Sequence, residues 1–78
     1  MTRYFFHLYN HELSCDEEGI ELPDLSAAIE AAEQEAVYQA AESIKRHREL
    51  VLSHRMVVCD AAGEVATIRF GDVVKVTE

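Results

Sequence analysis

The sequence predicts an α+β fold: a ββαββ two-layer sandwich with one long helix packed on one antiparallel sheet. Three observations predict it. An aromatic run opens the chain, alanines recur at helical spacing through its middle, and two β-branched runs flank an Asp-x-x-Gly turn near its end. With 78 residues and 49% apolar content, the chain has material for a single small domain over residues 1–78 and not for a second core.

The opening run, Arg3-Tyr4-Phe5-Phe6-His7-Leu8-Tyr9, is rich in rings and poor in helix formers, as a pleated strand favours. A period of two puts Tyr4, Phe6 and Leu8 on one face and Phe5, His7 and Tyr9 on the other. Both faces carry large rings, so the strand is expected to lie centrally or to be covered on two sides. Asn10-His11 reads as a tight turn into a short second strand over residues 12–15. Asp16-Glu17-Glu18-Gly19 is a turn, solvated by its acids, whose glycine permits a positive φ. Ile20-Glu21-Leu22 is extended, because the residue before Pro23 avoids the helical region.

Asp24 is the expected helix N-cap, its carboxylate accepting from the orphaned amides of the first turn. Leu25, Ala28, Ile29, Ala32, Ala36, Ala40 and Ile44 then form one apolar stripe. The alanines raise helix propensity and allow close approach to a sheet. Glu42 and Arg46 stand four apart in the favourable order, Lys45 and Glu49 in the weaker one. No glycine closes the helix, which ends near Arg48. At that length the rod is roughly 37 Å long against about 20–23 Å for a strand, so it overhangs the sheet. Residues 55–60 and 64–70 form a hairpin, with Gly63 in the left-handed position of its turn. Alternation places Ala66, Ile68 and Phe70 inside and Val65, Thr67 and Arg69 outside. Gly71-Asp72 breaks the strand, and Val73 to Val76 form a further short strand, in this sheet or in a neighbour's.

Fifteen acids against seven bases give a net charge of −8, which argues against nucleic acid as partner. No apolar stretch reaches the length of a membrane span, and the aromatic start has no signal-peptide core, so a cytoplasmic location is expected. A reducing compartment leaves Cys15 and Cys59 as unbridged, small buried apolar residues. A chain this short retains only about 3–5 kcal/mol of net stability, which makes a homodimer the expected extra source of burial. Charge is also divided along the chain: residues 1–42 hold ten acids and one base, residues 43–78 five acids and six bases. Macrodipole matching accounts for part of this. The remainder marks Glu12, Asp16, Glu17, Glu18, Glu21 and Asp24 as a candidate edge for a basic partner protein. Lys45, Arg46, Arg48 and Arg55, with His47 and His54 nearby, are the candidate anion-binding set.

R-Y-F-F-H at 3–7, D-E-E-G at 16–19, E-L-P-D-L at 21–25 and the Val58-Cys59-Asp60-Ala61-Ala62-Gly63 hairpin resemble short bacterial proteins grouped as domain-of-unknown-function family 6894. The resemblance spans nearly the whole chain. It implies a small cytoplasmic bacterial protein and carries over no activity, cofactor or catalytic residue. The acidic turn at 16–19 and Pro23-Asp24-Leu25 are also similar, more loosely, to HicB-type antitoxins, which implies an inhibitor or adaptor. The chain departs from that pattern at Ser26-Ala27-Ala28, where those proteins usually carry a Gly-Cys pair and a further turn.

Little in the pattern supplies catalysis. Cys15 sits beside Asp16 and Glu17, whose charge disfavours a thiolate, and Cys59 lies in an apolar run. Neither Cys-x-x-Cys nor a helical His-x-x-x-His occurs. A site on His7, His11, Cys15 and Cys59 would need the turn at 10–11 to keep their shared parity. No glycine loop cradles phosphate, and the aromatic strand lacks the basic surround of an RNA platform. The expected function is therefore a non-enzymatic protein–protein interaction module without cofactor or metal. An antitoxin-like or regulatory inhibitor of a basic partner is the alternative, and a ligand- or metal-binding module on His7, His11 and Cys15 the second.

Overall fold

The computed structural model describes residues 1–78, and in it the aromatic run is β1 (Thr2–Tyr9), the central strand of a five-stranded antiparallel sheet. One edge of β1 pairs with β4 (Arg55–Asp60), from Phe5 opposite Cys59 to Tyr9 opposite Arg55. β4 in turn pairs with β5 (Gly63–Arg69). The other edge of β1 is shared by two short strands. β2 (Leu13–Ser14) pairs with Leu8 and Tyr9, while β3 (Ile20–Leu22) pairs with Thr2, Arg3 and Tyr4. The extended segment before Pro23 is thus a sheet strand, and the order is βββαββ followed by a short helix.

A single long helix, α1 (Leu25–His47), covers one face of the sheet. Ala28, Ala32 and Ala36 are wholly inaccessible, and Ala40 nearly so. Four small side chains in an i, i+4 row let the helix press on Tyr4, Leu8, Met56, Val58 and Ile68, the sheet's half of the core. Each large side chain sealed this way contributes about 1.5–3 kcal/mol. The ends of the expected stripe lie outside this contact: Leu25 is 39% and Ile44 47% exposed. Their positions follow from length, since 23 helical residues span about 34 Å and an eight-residue strand about 27 Å.

Asp24 caps α1, its Oδ1 accepting the Ala27 amide at 2.9 Å. At the other end Arg48 adopts a left-handed φ of 54° and returns its amide to the Ile44 carbonyl. That conformation ordinarily selects glycine, so the helix ends by geometry and without the usual residue. Glu42 pairs with Arg46 as its spacing predicts, but Lys45 also turns to Glu42, at 3.6 Å, and Glu49 pairs instead with His11.

Three sequence expectations need correction in the second half. A bulge between Val58 and Cys59 places Cys59 opposite Glu64, so Val65 leaves the simple alternation and packs against the core. Gly63 holds a φ of 129°, wider than the left-handed helical value. The segment expected to form a strand at Val73 to Val76 instead begins with one helical turn, α2 (Phe70–Val73), and residues 74–78 form no regular element. The Asp72 carboxylate accepts the Arg69 amide at 2.9 Å, and the Phe70 amide donates to the His54 carbonyl at 2.8 Å. Those bonds turn Phe70 into the core, where β-branched propensity alone would have kept the chain extended. No helix is long and apolar enough to cross a membrane.

Candidate functional site

The sheet face opposite α1 is uncovered by this chain. Register places nine side chains there in a three-by-three grid: Tyr9, Arg55 and Arg69; His7, Val57 and Thr67; Phe5, Cys59 and Glu64. β1 is central, as expected of a strand with rings on both faces, yet it is covered on one face only. Phe5, Tyr9 and Cys59 are half-buried by their neighbours, and Val57 at the centre is only 5% exposed. The Arg55 guanidinium lies 4.3 Å from the centroid of Tyr9, masking that ring. Thr67 donates to Glu64 at 2.9 Å. One end of the grid is therefore basic, through Arg55 and Arg69, and the opposite end acidic, through Glu64 with Asp60 beside it.

The acidic segment has a different role from a bare solvated edge. Between β2 and β3, one edge of β1 lacks a strand partner, and Asp16 fills the gap. Its Oδ2 accepts the Phe6 amide at 3.1 Å, and its Oδ1 accepts those of Glu18 and Gly19 at 3.2 and 3.1 Å. Its own amide donates to His7 Nδ1 at 3.0 Å, which places the neutral-ring proton of His7 on Nε2. Burial pushes the Asp16 carboxyl up, but the amides of Gly19, Phe6 and Glu18, with His7 beyond them, outweigh it and hold it below the ordinary value. Asp24 is spent on the helix cap and Glu21 on Arg3, at 3.6 Å. Arg3 also donates to the Glu18 carbonyl, strapping the loop down. Glu12, Glu17 and Glu18 keep exposed side chains without a partner.

The basic set is not brought together as one site. Arg55 stacks on Tyr9 on the open face, Arg48 caps α1, and Lys45 and Arg46 both hold Glu42. Arg46 alone of the four lines a polar pocket of about 350 Å³ between the second half of α1 and the turn after β1. His11, His47 and His54 line it too. His54 is 8% exposed, its ring edge-on to His11 at 5.0 Å and to Phe70 at 5.6 Å, and its buried Nδ1 has no hydrogen-bond partner. Burial first, and then the neighbouring His11, push the His54 pKa down, while Glu49 opposes them. Sequence spacing gave no sign of this residue's burial.

These two groups set an acid profile. Above pH 6.5, the ordinary value for histidine, His54 is neutral folded and unfolded. Below it the unfolded chain takes up a proton that the folded chain resists, so stability declines. Asp16 adds a second loss: its depressed pKa stabilises the fold above 3.8, and that contribution disappears as pH falls through the folded value. Urea midpoints measured across pH are expected to show a first decline below pH 6.5 that His54→Phe removes. A decline of the same size in that variant would assign it elsewhere.

Both thiols are free, as expected, but Cys15 is exposed and Cys59 half-buried, so neither is the buried residue the sequence suggested. Burial, then Glu64 and Asp60, push the Cys59 thiol up and away from the reactive thiolate. His7 faces the open side, His11 the polar pocket, and Cys15 a separate hollow beside Phe6 and Met56. Cys59 shares the open face with His7, but His11 and Cys15 lie elsewhere, and no group of three or more His, Cys, Asp or Glu converges as a metal site.

A family model described as a domain of unknown function (DUF6894) matches residues 3–71, which include all of the sheet but Thr2, the whole of α1 and the start of α2. No curated protein and no solved structure matches the chain.

Proposed function

The chain belongs to the DUF6894 family, and from that premise we propose that it is a non-enzymatic interaction module that pairs with a second copy through its open sheet face. The observation that carries the reading is the grid itself: a middle row of His7, Val57 and Thr67 without formal charge, between ends of opposite charge. A two-fold axis along the middle row superposes the two faces with strand directions reversed. Val57 then meets Val57 and Thr67 meets Thr67, while Tyr9 lies over Phe5. Arg69 of one copy faces Glu64 of the other, twice. Such a contact is isologous and closes on itself, producing a dimer and no fibre. The sheets stack about 10 Å apart with both helices outside. Burial of the paired faces supplements the small margin of a 78-residue chain.

Thr67→Lys places a charge on the axis at a position where an edge strand tolerates lysine. Sedimentation equilibrium is expected to show a wild-type dimer at micromolar concentration and a monomeric variant with an unchanged circular dichroism spectrum. A monomeric wild type, or a variant that dimerises equally well, would remove the reading.

A further inference from the structure

The polar pocket lies on the helix side of the sheet, so face-to-face pairing leaves it open to solvent. We propose that it binds a tetrahedral oxyanion, the phosphate group of a small metabolite. Asn10 reaches it from the turn after β1, Tyr38, Arg46 and His47 from α1, and His54 from the segment before β4. Each of these five side chains can donate a hydrogen bond. They come from three separate segments around a space of about 350 Å³, within the range of small-molecule sites. A carboxylate offers two oxygens in one plane, whereas a tetrahedral oxyanion presents three or four and can engage donors arriving from such different directions.

The charge balance suits the assignment. Glu42 is the one acid in the lining, and Arg46 and Lys45 hold it at 3.3 and 3.6 Å. The Arg46 contact uses Nε and leaves the two terminal nitrogens for a ligand. The half of the chain that supplies Arg46, His47 and His54 is the half with more bases than acids. His54 is prepared for the role by its surroundings. His11 and Phe70 fix the ring edge-on, and Nδ1 is sealed without a partner. The least costly neutral tautomer therefore leaves the lone pair on buried Nδ1 and the proton on Nε2, the ring nitrogen that is not sealed. A donor held this way loses little freedom when a ligand arrives.

The test is a titration of the full chain with inorganic phosphate, at constant pH and ionic strength, read from imidazole resonances. His7 lies on the opposite face and serves as the internal control. Saturable shifts of His47 and His54 at millimolar phosphate, with His7 unmoved, are expected. Arg46→Gln, which removes only a surface pair, should weaken binding by about tenfold or more. Shifts that rise linearly, that chloride reproduces, or that include His7 equally would overturn the proposal. So would saturation by acetate with the same affinity, or an Arg46→Gln variant that binds as the wild type does.

Discussion

Gly19→Ala is expected to cost about 3 kcal/mol, most of the stability available to a chain of this size. Gly19 holds a φ of +70°, and a Cβ there would stand 2.7 Å from the Tyr4 carbonyl oxygen and 2.8 Å from the Phe5 ring. The ring can swing away. The carbonyl cannot, because Tyr4 is fixed in register with Ile20 on β3. Relief therefore requires the acidic loop to lift from β1, which also breaks the Asp16 contacts that bridge the gap between β2 and β3. Gly63→Ala is the comparison without a close approach: its φ of 129° is less favourable to an L side chain than that of Gly19, yet nothing lies within 4 Å of its added carbon. A urea titration should show a clearly larger loss at Gly19 than at Gly63. Equal losses would mean that backbone conformation alone, and not the close approach, governs both sites.

The second large effect is at Asp16. Asp16→Ala removes the acceptor of three backbone amides at once, and the Phe6 amide is partly buried on an edge with no strand beside it. A loss of about 2–3 kcal/mol follows, less than three full hydrogen bonds because water reaches the loop amides. Asp16→Asn should lose less, since one oxygen survives for Glu18 and Gly19 while its NH₂ confronts the Phe6 amide donor-to-donor. Glu17→Gln, one residue on and without a partner, should stay within about 0.5 kcal/mol. If all three variants unfold at the same denaturant concentration, Asp16 is only a solvated turn residue and the bridge across the strand gap is unimportant.

Asp16 also shows what a sequence can and cannot disclose. Composition identifies 16–19 as a polar turn, and Gly19 within it as the residue able to take positive φ. Nothing local reveals that the carboxylate replaces a missing strand, because that depends on where β2 ends and β3 begins along β1. The strong local signals translate directly into structure: the alanine row buries, Asp24 caps, and the Asp60-x-x-Gly63 turn closes a hairpin. Three-residue β3 is legible only as an extended segment before Pro23, having too few positions to show the period of a sheet strand. α2 is missed for the opposite reason. Val73 and the valines after it read as strand, but burial of Phe70 and the Asp72 carboxylate decide the outcome. The candidate surfaces follow the same rule. Tyr9, Arg55 and Arg69 are 14 to 60 residues apart in sequence and become one row only through register. His54 looks like a polar residue between a loop and a strand until the end of α1 and the turn at His11 close over it.

The pairing of open faces makes a demand that no other arrangement of this chain shares: the basic end of one grid must lie on the acidic end of the other. Arg69→Glu sets a like charge against Glu64 of the other copy and leaves Arg55 as the one base at that end, and Glu64→Arg sets a like charge against Arg69 and leaves Asp60 as the one acid at the other. Each variant alone should be a monomer by sedimentation equilibrium, while an equimolar mixture should form a heterodimer with the mass of the wild-type pair. Two variants that each dimerise as the wild type does, or a mixture that stays monomeric, would contradict the account.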